Sequence, residues 1–401
     1  MDSSCYKFII VIQQWDPHSN GVSIIYKLAE YIEKCGYTSN IYIWNDSTTP
    51  DSTPKQFKDK IIKDVDWSDQ RIISILPEAL PYEVSQKIGG KKRVWYLLNK
   101  PMLITREKIH IEPNDYFVSY SPLVDNYEPL LPINNKFDEI DNIIEAVLKT
   151  NTPKKRQIIV YSGKCRKKYF VRYLLVNIIF GIKVVAISRI VPQDKKSLYK
   201  AIAESRLLVS YDPFTSTVYE ATLCGTPAYI ADNYANIDLT RHNIPLSGVF
   251  NDWRLISKYY REGLKKDVYD DILNTYKKTT ENHLDQVSGF LCSAISHFDN
   301  LDQNREKNLR EYHNRIIRFN TEFNEHQAHR RLINHTLIDY VPIYCIKILL
   351  KVKIIDFLNL LLNYYFSIFR CDLEMINNIR KCITEYRNKI INAHITGLIN
   401  S

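Results

Sequence analysis

The hydrophobic pattern opens with an unbroken apolar run, Lys7-Phe-Ile-Ile-Val-Ile12, followed by a polar loop over residues 13–21. A continuous run of this kind predicts a strand buried on both faces of a parallel sheet. Val22, Ile25, Leu28, Ala29 and Ile32 then recur at helical spacing up to Gly36, a residue suited to the position just past a helix end. Residues 38–44 read as a second strand and complete a βαβ unit. Further strands are predicted at 71–76, 92–97 and 116–120, then a helix at 138–148 and a polar, basic linker at 149–156.

The same pattern then restarts. Residues 157–161 read as a strand, Ser162-Gly-Lys164 as a turn, and 169–179 as a helix. A strand at 183–187 and a helix at 195–205 follow, then strands at 207–211 and 228–231 separated by a short helix. Two successive α/β halves of roughly 150 residues predict two Rossmann-like domains facing a cleft, at residues 1–150 and 151–300. From about Leu301 the strand pattern stops, and 301–401 is expected to be a helical extension. Its most apolar part, 338–369, is interrupted by Lys347, Lys351, Lys353 and Asp356, which breaks any uncharged run of membrane-spanning length. Packing on the α/β domains or on a second subunit is therefore expected there, with a membrane interface as the alternative.

At 401 residues the chain is too long for one ordinary core. Its net charge of +9 is spread in short runs: Lys91-Lys92-Arg93, Lys154-Lys155-Arg156, Arg166-Lys167-Lys168 and Lys195-Lys196. Such runs read as solvated faces, with an anionic nucleotide or an anionic membrane surface as other takers. No nucleic-acid-binding motif accompanies them. The eight cysteines, at 5, 35, 165, 224, 292, 345, 371 and 382, have neither metal-ligand spacing nor the density of a disulfide framework. Reduced thiols in a cytoplasmic setting fit, and the N-terminal segment has no signal-peptide character. Asp64-Val-Asp66 and the trio His326, His329 and His335 come nearest to metal patterns, but both lie in wet, polar contexts. No metal and no cofactor are expected.

The segment from Ser210 to Ile230 carries the most chemistry. An apolar strand leads through Tyr211-Asp-Pro-Phe214 to Thr215, Ser216 and Thr217 and a short helix, which Gly225 and Pro227 stop before another apolar strand. A helix N-terminus offers unpaired N–H groups and partial positive charge, so hydroxyls placed there suit a diphosphate. Glu220, one turn in, suits the two hydroxyls of a ribose. Thr217-x-x-Glu220 is also a capping box, in which hydroxyl and carboxylate satisfy only backbone donors, and this alternative stands beside the first.

These blocks together resemble the GT-B nucleotide-sugar glycosyltransferases of bacterial surface-polysaccharide clusters and some large viruses. Asn20-Gly21, with the helix through Leu28-Ala29 to Gly36, is similar to the acceptor-side opening of such enzymes. Pro77-Glu78 and Arg93-Val-Trp-Tyr-Leu-Leu-Asn-Lys-Pro101 resemble a block of their N-terminal halves, and Ser162-Gly-Lys164 and 211–227 resemble the donor half. The resemblance covers roughly residues 5–240. It implies that Lys164, with Arg166 as neighbour, meets the diphosphate, that Thr215, Ser216 and Thr217 hold phosphate, that Glu220 holds ribose, and that the loop of Arg189 holds the base. It implies sugar transfer from a nucleotide-diphosphate donor to a glycan or lipid-linked acceptor; a cytoplasmic protein is expected, with peripheral membrane contact or a homodimer through 301–401 as the two uses of its extension.

An inverting enzyme of this kind needs a base for the acceptor hydroxyl, and Asp16 and His18, in the loop before the first helix, are the candidates. Asp-Pro-His-Ser-Asn-Gly is equally ordinary turn chemistry, and a retaining enzyme would need no such base. Two other classes fit the same pattern: a nucleotide-sugar epimerase acting on the donor alone, and a non-catalytic Rossmann-like scaffold whose helical tail makes the interactions.

Overall fold

The computed structural model describes residues 6–336 except 17–18, 46–50, 103–104, 106, 122–123, 126, 134–137, 151–153, 162, 164–181, 189–190, 193, 213–214 and 232–246; the side chains of 138–139, 148–150 and 326–336 also lie outside the description. The predicted helix at 169–179 and the apolar stretch 338–369 therefore fall outside the described residues. Residues 1–329 form one unit that contains both sheets, and 330–401 form a second.

Strand β1 (Lys7–Ile12) is buried at every position after its first. Its side chains alternate between two cores, with Phe8, Ile10 and Ile12 on one face and Val11 on the other. It pairs in parallel with β2 (Thr38–Ile43) and β4 (Ile72–Pro77). The short β3 (Ile61–Ile62) continues the sheet beyond β2, while β5 (Arg93–Leu97) and β6 (Tyr116–Ser119) continue it beyond β4. The order β3-β2-β1-β4-β5-β6 is that of a doubly wound dinucleotide-type sheet, with its switch point between β1 and β4.

The second sheet is also parallel. It contains β7 (Gln157–Tyr161), β8 (Lys183–Ile187), β9 (Leu207–Ser210), β10 (Ala228–Ile230) and β11 (Val249–Phe250), in the order β11-β10-β9-β7-β8. That order reverses between β7 and β9, which is where a ligand crevice is expected beyond the carboxyl ends of the strands. Gly163, just after β7, has φ of +54°, and a Cβ there would lie 2.4 Å from Asp212 Cβ. The chain can turn so tightly against the segment after β9 only with glycine at this position.

The helices, in chain order, are α1 (Asn20–Lys34), α2 (Lys55–Lys58), α3 (Tyr82–Lys87), α4 (Asp138–Thr150), α5 (Lys195–Ala203), α6 (Ser216–Leu223), α7 (Ile256–Glu262), α8 (Lys266–Glu281), α9 (His283–Asp299) and α10 (Arg305–Thr336). Both sheets are covered on both faces, so the architecture is α/β with two Rossmann-like lobes and a helical C-terminal region. Core membership does not follow chain order. Ile140 of α4 lies in the core of the second sheet, with α5, α6 and α8. Helix α9 returns to the first sheet, where Val287, Phe290, Leu291, Ala294 and Phe298 join the core under α1. Phe319 of α10 packs on the opposite face of that sheet, beside Trp95 and Phe117. Each large apolar side chain so buried is worth roughly 1.5–3 kcal/mol, so α9 is part of the first lobe's core rather than an appendage to the second.

The basic runs are not all solvated faces. Arg93 is 2% exposed and donates through Nε and a terminal nitrogen to Asp115, at 2.9 and 2.7 Å. Trp95 Nε1 donates to the same carboxylate at 2.8 Å. Lys154 donates to the Ala203 carbonyl and to Thr226 Oγ1, each at 2.7 Å, and burial pushes its pKa down to about 8. Arg93 is buried and Lys154 half-buried, and each has the fixed oxygen partners that withdrawing a charge from water requires.

Candidate functional site

The loop after β1 leads straight into α1. Ser19 caps this helix, its Oγ accepting from Val22 N at 3.4 Å, and the Asp16 carbonyl accepts from Ser19 N at 3.0 Å. Asn20 is thereby fixed at the first turn of α1, beyond the carboxyl end of β1. Gly21 is not sterically required, because a Cβ there would meet only Leu98 Cδ1, at an ordinary 3.6 Å.

In the second lobe, β9 leads through Tyr211 and Asp212 to α6. Thr215 caps α6, its Oγ1 accepting from Thr217 N at 3.3 Å and donating to Thr217 Oγ1 at 3.1 Å. Gly225, at φ of +70°, ends the helix, and Thr226 N donates back to the Ala221 carbonyl at 2.9 Å. Because Thr215 and not Thr217 is the cap, the capping-box position is Val218, and Glu220 lies two residues beyond it. That alternative is set aside by the geometry.

The partners of Glu220 come from elsewhere. Asn20 Nδ2 donates to Glu220 Oε1 at 2.6 Å and also contacts Ser216 Oγ. Lys195 Nζ, from the start of α5, donates to Asn20 Oδ1 at 3.1 Å and stands 3.7 Å from Glu220 Oε1. Three segments far apart in sequence thus converge: the start of α1, the start of α5 and the first turns of α6. Glu220 is only 1% exposed, and its second oxygen, Oε2, is buried without a hydrogen-bond partner. The negative charge is felt by its neighbours. Burial, reinforced by Glu220, raises the pKa of Tyr120 after β6 and of Cys224 after α6.

A buried carboxylate with one oxygen held by an amide and a lysine, and the other buried without a partner, has acceptor capacity that a hydrogen-bond donor would satisfy. Two vicinal hydroxyls would fill it. Thr215, Ser216 and the amide groups of the first turn of α6 lie alongside, where partial positive charge favours an anion.

Asn20, Ser216 and Glu220 are brought together, with Thr215 and Thr217 next to them. Asp16 lies in the loop that leads into α1, four residues before Asn20, whereas His18, Lys164, Arg166 and Arg189 lie outside the described residues. Sequence reasoning missed Lys195, which looked like half of a solvated Lys195-Lys196 pair. Its only local signal was its place at the amino end of a helix following a parallel strand. Asp66 accepts from Ser68 N at 3.0 Å and from Ser68 Oγ at 2.5 Å, an ordinary turn cap in the loop before β4. The side chains of His326, His329 and His335 lie outside the description. Among the described residues, no three His, Cys, Asp or Glu side chains converge in a way that could hold a metal, and no helix is long and apolar enough to cross a membrane.

No family model and no curated protein matches the chain. Solved structures do. A glycosyltransferase of Medicago truncatula, UGT71G1 complexed with UDP-glucose, is 10% identical, with a TM-score of 0.38 over 72% of this chain and 98% of that one. An alpha-glucosyltransferase in complex with UDP and a 13-mer DNA is also 10% identical, with a TM-score of 0.38 over 71% and 94%. The glycotransferase of kitacinnamycin is 8% identical, with a TM-score of 0.34 over 76% and 99%. The two-lobed architecture is the one that a GT-B resemblance implies. Likeness at this level says nothing of substrate, and the site is read from its own residues.

Proposed function

We propose that the protein transfers a sugar from a nucleotide-diphosphate donor to a hydroxyl of a glycan or lipid-linked acceptor, in the crevice between its two sheets. The observation that carries this reading is Glu220: a buried carboxylate with an unpartnered oxygen, one turn inside the helix that follows β9. The ribose hydroxyls donate to Glu220 Oε2, and the diphosphate lies against the first turn of α6 with Thr215, Ser216 and Thr217. The acceptor enters from the α1 side.

In the transfer step the acceptor oxygen forms a bond to the anomeric carbon while the bond from that carbon to the diphosphate oxygen breaks. The bonding electrons leave with the phosphate, and the acceptor proton passes to a base. Negative charge therefore grows on the leaving group, and fixed positive groups that meet it lower the barrier. Lys195, together with Lys164, Arg166 and the α6 dipole, supplies that charge without calling on a metal. Asp16 and His18 are the candidate bases, and the loop of Arg189 takes the nucleotide base.

Calorimetric titration with uridine, guanosine and adenosine diphosphates tests the reading. One of the nucleotides is expected to bind, and Glu220→Gln to weaken it about tenfold or more, the cost of losing a hydrogen bond to a charged group. Absence of binding by all of them, or indifference to Glu220→Gln, would reject it. Transfer assays with the matching nucleotide sugars then identify the donor.

A further inference from the structure

In the donor reading, Glu220 takes the ribose, Ser216 a phosphate, and Lys195 the charge of the leaving group. All three are bonded to one side chain of the other lobe. Asn20 Nδ2 donates to Glu220 Oε1 at 2.6 Å, and the same nitrogen contacts Ser216 Oγ. Asn20 Oδ1 accepts from Lys195 Nζ at 3.1 Å.

The amide has the right chemistry for each partner. A buried carboxylate needs a donor, and Nδ2 supplies one as a ribose hydroxyl does. A lysine needs an acceptor, and Oδ1 supplies one as a phosphate oxygen does. One neutral side chain thus reproduces in miniature the donor and acceptor pattern of a nucleotide diphosphate.

The exposures point the same way. Asn20, Lys195 and Ser216 are half-buried, whereas Glu220 is only 1% exposed. No hydroxyl reaches such a carboxylate until the groups packed on it move apart. Asn20 is the residue whose departure frees Glu220, Ser216 and Lys195 together. That departure has a cost, because hydrogen bonds to charged groups are the stronger ones. Apparent affinity for a nucleotide is lowered in proportion to the fraction of molecules in which the contact is open.

We propose that Asn20 is a latch across the crevice: it holds the donor's own contacts, and a nucleotide diphosphate binds by displacing it. The inference rests on the donor reading of the site around Glu220, and it gives Asn20 the opposite role to that of a donor-binding residue. A ligand that satisfies the carboxylate and the lysine at once replaces the whole contact, whereas one that satisfies a single partner does not.

Asn20→Ala removes the amide and leaves the start of α1 intact, because Ser19 supplies the cap. The full chain is titrated with uridine, guanosine and adenosine diphosphates. Asn20→Ala is expected to bind one of them about fivefold or more tighter than the parent does, the converse of the loss in Glu220→Gln. Damage to the fold lowers affinity, so a gain has no merely structural origin. Asn20→Ser, too short to reach Glu220, repeats the measurement should the alanine variant not fold. Unchanged or weaker binding in the Asn20 variants, with Glu220→Gln still weakened, would overturn the latch and leave the donor reading standing. Binding by neither the parent nor the Asn20 variants would overturn both, as would indifference to Glu220→Gln.

Discussion

Asn20 Nδ2 lies 2.6 Å from Glu220 Oε1, although the two residues are 200 positions apart in the chain. The bond ties the crevice end of the first sheet to the crevice end of the second, and it is made to a buried charge. Hydrogen bonds to charged groups contribute about 1.5–3 kcal/mol, more than a neutral pair. A double-mutant cycle with Asn20→Ala and Glu220→Ala, read by urea denaturation, should show a coupling of about 1–3 kcal/mol. Simple additivity would mean that the contact does not hold the lobes together.

Lys195 stands against both of these residues. Lys195→Met should weaken nucleotide-diphosphate binding roughly tenfold while leaving the melting temperature within a few degrees, because the lysine is partly exposed and its hydrocarbon stem is retained. An unchanged affinity with a large fall in melting temperature would reduce Lys195 to a structural counter-ion of Glu220.

The pH dependence of stability has an identifiable contributor at His283, the first residue of α9. The side chain is buried, its Nδ1 is 3.2 Å from Tyr31 Oη, and burial with nearby Lys27 lowers its pKa from 6.5 to about 4. Between pH 6.5 and about 4 the unfolded chain holds this proton and the folded chain does not. Stability should therefore fall as pH drops through that window, by about 3 kcal/mol at most. Denaturation midpoints across the window should flatten in His283→Gln; an unaltered slope would assign the loss to other groups.

The Arg93–Asp115 ion pair of the first sheet is almost wholly buried, each side chain being 2% exposed. Asp115 also accepts from Glu112 N at 2.8 Å, so the carboxylate is fully engaged. Removing one partner strands the other charge, and Asp115→Ala should cost about 3–5 kcal/mol by chemical denaturation. Replacing both partners with apolar residues should cost less than the single change.

The strands were legible because parallel strands buried on both faces become unbroken apolar runs, as at Phe8–Ile12 and Leu207–Val209. Thr215 and Glu220 were legible because a helix start after such a strand has only a few uses. What the sequence hid is tertiary. An amphipathic stripe on α9 announces a buried face without saying which sheet it covers, and nothing in Lys195 or Arg93 distinguishes a solvated cation from one with a fixed partner. The capping-box alternative at Thr217 failed because hydroxyls stood in succession at Thr215, Ser216 and Thr217, and only the backbone decided which one capped.

The return of α9 to the first sheet has a temporal consequence. During synthesis the strands of the first lobe emerge early, but the core beneath α1 is not closed until Phe298 has followed. At ~5–20 residues per second that interval is on the order of ten to thirty seconds. The second sheet, complete within a shorter span of chain, is positioned to fold first. The lobe made earliest is finished last, and until then its open apolar face is what a ribosome-associated chaperone would meet.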